Sequence, residues 1–204
     1  MGLLRKARAE AGFTLLELMV AVVIIVVAFF GLLLSLHYGS VLNETARQLQ
    51  SAHEGARQTL EAVRAYEFEF IYQCFNTDTT DDPNGAGTAE STLFPLNVGA
   101  ALGDGIGSNF VVEGLPPLTS DPDSVVGAII FPEVVESGSV VLSEQGQTDP
   151  LLGVLDLNGD GDVNDVNVTN DYVLLPVTVL VQWQGLFGEG REVRLDTVLS
   201  THLR

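Results

Sequence analysis

"AGFTLLELMVAVVIIVVAFFGLLLSL", Ala11–Leu36, is almost continuously apolar, and one carboxylate, Glu17, sits near its start. From Phe13 to Leu36 there are 24 residues with that single charge. As a helix the stretch covers about 36 Å, enough to cross a hydrocarbon core. A soluble core helix of this length needs a polar face. None follows Glu17, so the segment suits lipid or the centre of an assembly. A carboxylate inside a spanning segment costs roughly 2.5–3.5 kcal/mol on insertion scales, which makes Glu17 a functional candidate by default.

The flanks set an orientation. Arg5, Lys6 and Arg8 precede the run against Glu10, whereas residues 37–204 hold 6 basic and 25 acidic residues, a net of −19. The positive-inside rule then puts residues 1–12 in the cytoplasm and the acidic body outside. With a net charge of −18 over 204 residues, the chain lacks the clustered Lys and Arg that phosphate binding needs, so no nucleic-acid partner is expected. A secretory signal would have a shorter apolar core followed by a small-x-small cleavage site, but here the run continues into His37-Tyr38-Gly39-Ser40. A plain signal anchor accounts for length and orientation and leaves Glu17 unexplained.

The stretch Gly12-Phe13-Thr14-Leu15-Leu16-Glu17-Leu18 resembles the processing motif of type IV pilins and of the pseudopilins of type II secretion. In that family a short basic leader ends in Gly, and prepilin peptidase cuts after it. The new N-terminal residue, often Phe, is N-methylated, and the fifth mature residue is Glu. By position, the resemblance implies processing between Gly12 and Phe13, methylation on Phe13 and an assembly role for Glu17. It also implies partners: prepilin peptidase, the inner membrane and other pilin or pseudopilin subunits. Cleavage before the apolar run leaves it on the mature chain and creates an α-amine cation four residues, about 6 Å of helix rise, from Glu17. A carboxylate in a dry bundle needs such a partner, on its own chain or a neighbour's.

The helical pattern continues past Leu36. Leu42, Ala46, Leu49, His53, Ala56, Leu60 and Val63 recur at steps of four and three, with polar residues between them, which predicts one long helix from about Thr14 to about Tyr66. His53 on that face reads as a packed core histidine. Gly31, Gly39 and Gly55 are its weak points. The aromatic cluster Tyr66, Phe68, Phe70, Tyr72 and Phe75 reads as a strand-like segment or a tapering helix end. Cys74, the one cysteine, can form no internal disulfide and reads as a packing residue.

Loop composition fills Asn76–Gly107, and the Gly-rich Gly103–Ser108 matches no nucleotide fingerprint. Candidate strands are Asn109–Glu113, Val125–Pro132, Ser139–Ser143, Val173–Gln184 and Glu192–Leu199. The last two alternate cleanly and should form an antiparallel hairpin across Gly185–Gly190. Leu186 and Phe187 at its tip either fold back on the sheet or meet a neighbouring subunit. The fold class expected is therefore α+β, a long N-terminal helix with an apolar first half packed against a C-terminal antiparallel sheet. The division expected is a leader at 1–12, a transmembrane or filament-core helix at 13–36, its amphipathic continuation at 37–72 and a globular head at 73–204.

"DLNGDGDVNDVN", Asp156–Asn167, invites a metal reading. Asp156, Asn158 and Asp160 occupy the first, third and fifth places of a loop similar to that of an EF-hand, with Gly161 sixth, Asp162 seventh and Asn164 ninth. Oxygen ligands at alternate positions suit Ca²⁺. Asn167 replaces the bidentate Glu at the twelfth place, leaving Asp165 or Asp171 to compensate. The competing reading is a plain Asn-Gly/Asp-Gly turn. No cofactor is required elsewhere. His37, His53 and His202 are scattered and no HExxH or GxSxG occurs, so no enzyme is expected. The leading expectation is a minor pilin held in a bacterial inner membrane by a single pass and then drawn into a surface filament. A minor pseudopilin in a periplasmic filament and a membrane-anchored calcium-binding surface protein are the alternatives.

Overall fold

The computed structural model describes residues 14–77, 108–120, 125–147 and 153–201. The leader, Gly12, Phe13, the loop at 78–107 and His202 lie outside the described residues. Two helices, α1 (Leu15–Arg64) and α2 (Phe68–Phe75), precede strands β1 (Asn109–Phe110), β2 (Gly127–Ile130), β3 (Glu133–Glu136), β4 (Ser139–Leu142), β5 (Leu174–Gln184) and β6 (Gly190–Ser200). The expected long N-terminal helix and C-terminal antiparallel sheet are both present. The chain divides into two units, Met1–Glu44 and Thr45–Arg204.

The described part of the first unit is the N-terminal part of α1. Every side chain from Thr14 to Ser40 is exposed, including Leu15, Ile24, Phe30 and Leu36. The helix is long and apolar enough to cross a membrane. Water is a poor solvent for so continuous an apolar surface, far beyond the few hundred Å² that soluble monomers leave bare.

In the second unit the order β1-β2-β5-β6 forms one antiparallel sheet, and β3-β4 forms a separate hairpin. The β5–β6 register pairs Trp183 with Arg191, Val181 with Val193 and Val179 with Leu195. Leu175, Val177, Val179, Val181 and Trp183 alternate onto one buried face. Ala52, Ala56, Leu60 and Val63 of α1 share their core, as do Ile71, Tyr72 and Phe75 of α2. Pro176 falls beyond Thr178, the last residue of β5 that β2 covers, where a strand tolerates proline.

Three expectations are corrected. The buried stripe of α1 is Gln48, Ala52, Ala56, Thr59, Leu60 and Val63. Leu42, Ala46, Leu49 and His53 are exposed, so His53 is no core residue. Small side chains win because they admit a close approach to α1. A Cβ on Gly55 would lie 2.7 Å from Val112 Cγ2, so close contact favours glycine here. Gln48 is buried because its Oε1 accepts the indole N–H of Trp183 at 3.3 Å. Second, Phe68, Phe70, Tyr72 and Phe75 of the aromatic cluster lie in α2, a helix separated from α1 by residues 65–67, Tyr66 among them. The Tyr172 hydroxyl fixes its start, donating to the carbonyls of Phe68 at 3.0 Å and Glu69 at 3.2 Å. Third, β3 lies outside the candidate strands and pairs with β4 across a turn at Ser137 and Gly138.

Candidate functional site

The start of α1 is the first candidate. Thr14 caps it: its Oγ1 accepts the N–H of Glu17 at 3.3 Å, and its carbonyl accepts that of Leu18 at 3.2 Å. Thr14-Leu15-Leu16-Glu17 is a capping-box sequence, S/T-x-x-E, so Glu17 stands in the first turn, where the helix dipole favours a negative charge. Glu17 therefore has a local electrostatic reason for its position besides any role between chains. The T-x-x-E spacing that signals the cap is present in the sequence and overlaps the processing motif at Gly12 and Phe13. The Glu17 side chain is exposed, as are the apolar residues that follow it.

The acidic loop is the second candidate, and it is tied down. Ser143 donates its hydroxyl to the Asp165 carbonyl at 3.1 Å, and Gln145 donates Nε2 to the Asn164 carbonyl at 2.7 Å. Gln147 grips Leu155 through both its carbonyl and its N–H, at 2.6 and 2.7 Å. Leu157 and Val168 are buried anchors in the common core. Within the loop Asp156 accepts from Gly159 N at 2.6 Å and Gly161 N at 2.8 Å. Gly161, the sixth residue of the loop, adopts φ +100°, a left-handed conformation that glycine takes without strain.

Of the anticipated carboxylates, Asp162 and Asp165 come together, but Asp156 and Asp160 stay outside their group. The third member is Glu144, from the single 3₁₀ turn Glu144–Gly146: ligand oxygens of Glu144, Asp162 and Asp165 lie within 4.8 Å of one another. Glu144 is 1% exposed. Its Oε1 accepts Leu157 N at 2.7 Å and its Oε2 accepts Asp165 N at 3.1 Å, so one buried carboxylate bridges both sides of the loop. Asn158 donates Nδ2 to Asp165 Oδ2 at 2.9 Å, and its Oδ1 accepts Asp160 N at 3.2 Å. Asn164 takes part through its carbonyl and through its N–H, which Asp162 accepts at 3.0 Å. Nothing local in the sequence marks Glu144, because only the return of the chain after β4 brings it to the loop. All three carboxylates are hard oxygen donors, which fits Ca²⁺ better than a transition metal.

The β5–β6 tip is the third place of interest. Phe187 is 76% exposed and Leu186 45%, so they do not fold back on the sheet. Glu189 holds the turn: its Oε2 accepts Phe187 N at 3.0 Å, and its Oε1 meets Arg191 Nη2 at 2.7 Å. Its own backbone N–H, followed by the Arg191 guanidinium, keeps the Glu189 carboxyl below its ordinary range.

Residues 7–33 match the family model described as the prokaryotic N-terminal methylation motif, the prepilin-type signal of type IV pilins and pseudopilins. The match spans Gly12, Phe13 and Glu17 and much of the exposed apolar helix. No curated protein and no solved structure matches this chain.

Proposed function

We propose that this chain is a minor pilin, a structural subunit of a type IV pilus-like filament. The precursor waits in the inner membrane with residues 1–12 in the cytoplasm. Prepilin peptidase cuts between Gly12 and Phe13, Phe13 is N-methylated, and the subunit passes into a helical assembly of pilins. The observation that carries this reading is a coincidence on one segment: the methylation motif at 7–33 overlaps a helix exposed on every side and long enough to span a bilayer. Such a helix has two states that bury it, lipid before assembly and a bundle of like helices afterwards. In the bundle, Glu17 pairs with a Phe13 amine and fixes the axial register between subunits. The reading gives the chain no catalytic task.

Deletion of the gene in its host is the test. Loss of surface filaments with intact secretion is the expected result. Loss of secretion with pili intact would replace the reading with a minor pseudopilin of type II secretion, whose chemistry at Gly12, Phe13 and Glu17 is the same. A strain with neither defect would leave a membrane-anchored surface protein.

A second reading rests on Glu144: the acidic loop holds Ca²⁺. Asp162 and Asp165 supply two carboxylates, Glu144 replaces the acid missing at Asn167, and the ion would neutralise charges that the fold gathers. Calorimetry with Ca²⁺ on chelator-treated protein should give binding heat and a raised melting temperature; the absence of both removes the ion from the account.

A further inference from the structure

The exposed tip at Leu186 and Phe187 has a definite place in the second unit. Trp183 of β5 bonds Gln48, and Arg64 donates Nη2 to Thr197 Oγ1 at 2.9 Å, Thr197 being the partner of Val177. So β5 runs against the direction of residues 48–64, and the turn after Gln184 lies at the end of this unit where the chain comes in at Thr45. That end is tethered to the apolar segment. The residues from His37 through Thr45 number nine, and a chain of that length reaches at most about 32 Å however it is folded.

The tip has the chemistry of an interfacial anchor. Leu186 and Phe187 are its apolar side chains, Gly185 and Gly188 flank them, and its one acid, Glu189, is paired with Arg191. The turn is also set before any encounter. Glu189 accepts Phe187 N and the Arg191 guanidinium, Gly185 N donates to the Glu189 carbonyl at 2.7 Å, and Gly188 N donates to the Gly185 carbonyl at 3.0 Å. Little ordering cost therefore remains when the two side chains leave water. The body is otherwise strongly acidic, and this neutral apolar tip is suited to approach a bilayer that repels the acidic faces.

We propose that Leu186 and Phe187 dip into the headgroup–acyl boundary of the membrane that holds the precursor, giving it a second contact besides the helix. The inference rests on the membrane-anchored state proposed above. A short tether keeps the tip at high effective concentration near the surface, so two apolar side chains suffice where they could not hold a free protein.

The test places the full chain in dioleoylphosphatidylcholine vesicles as Phe187→Trp, with or without lipid brominated along its acyl chains. Wild type, whose only indole is the buried Trp183, is the control. The expected result is blue-shifted emission from the introduced indole and loss of that emission in brominated vesicles, repeated with Leu186→Trp. Emission unchanged by brominated lipid overturns the proposal, and so does a blue shift without quenching, which would mean a protein neighbour. An alkaline carbonate wash separates the two levels. A chain stripped from the vesicles refutes the anchored state, and this inference falls with it. A retained chain with an unquenched indole refutes the tip contact alone.

Discussion

Glu17 meets one electrostatic demand within its own chain, and the proposed function would give it a second. Within its own chain it lies in the first turn of α1, which Thr14 caps. In an assembly it stands one turn from the amine that a cut after Gly12 would create. The two demands separate experimentally. Glu17→Gln keeps shape and hydrogen-bonding capacity and loses the charge, so it should be cut normally yet fail to enter filaments. Incorporation at the wild-type level, measured by immunoblot of sheared filaments, would leave only the capping role. Glu144 shows the opposite legibility. The spacing in Asp156–Asn167 announced a loop of oxygen donors, and Asp162 and Asp165 do meet. Glu144 could not be read from spacing, because a reversal after β4 delivers it. Glu144→Gln should abolish the melting-temperature rise caused by Ca²⁺. It should also cost about 1–3 kcal/mol without calcium, since a buried acceptor of two backbone N–H groups is weakened. Equal Ca²⁺ shifts in wild type and variant, by scanning calorimetry, would remove Glu144 from the site.

At the level of elements, strict alternation made β5 and β6 readable, and their hairpin is as expected. The face of α1 was readable only towards its C-terminal end, where Ala56, Leu60 and Val63 are buried as expected. Before them its apolar residues point two ways, and Leu42, Ala46, Leu49 and His53 are exposed. Ala52 and Ala56 face the core, where a close approach requires small side chains, and the larger Leu42 and Leu49 are exposed. Gly55 belongs to the same constraint. Gly55→Ala adds a methyl 2.7 Å from a buried, stiff Val112. Overpacking costs about 1–3 kcal/mol and the gain in helix propensity returns at most about 1, so net destabilisation is expected in urea unfolding. An equal or higher urea midpoint would show that Val112 gives way. Separating α2 from α1 was equally beyond the pattern, since Tyr172, a hundred residues later in the chain, supplies the contact that fixes it. Burial is the main cause that raises the Tyr172 phenol from 10.0 to about 12; Glu69 adds to it and a backbone hydrogen bond at Tyr72 opposes it. The folded state thus holds this proton more tightly than the unfolded chain. The contribution is complete below pH 10 and is lost as pH rises towards 12. Wild type should lose stability across that window more steeply than Tyr172→Phe. Parallel curves in pH-dependent unfolding would contradict the assignment.

Over the whole chain, charge and hydropathy divide it into a basic start, an apolar segment and an acidic body, and this division was plain from the residues. The same segment names its own processing signal, the part of the function most open to reading. The body offers no comparable signal, because its loops and sheet are set by packing among residues far apart in sequence. The account depends on one event, conversion of a precursor into a chain that begins at a methylated Phe13. Intact-mass and N-terminal peptide mass spectrometry of the protein from its host tests it most directly. The account predicts loss of residues 1–12 and a single methyl group on the Phe13 amine, with Gly12→Glu leaving the full-length precursor in the membrane. A mature chain that still carries residues 1–12, or one cut at any other bond, would contradict it.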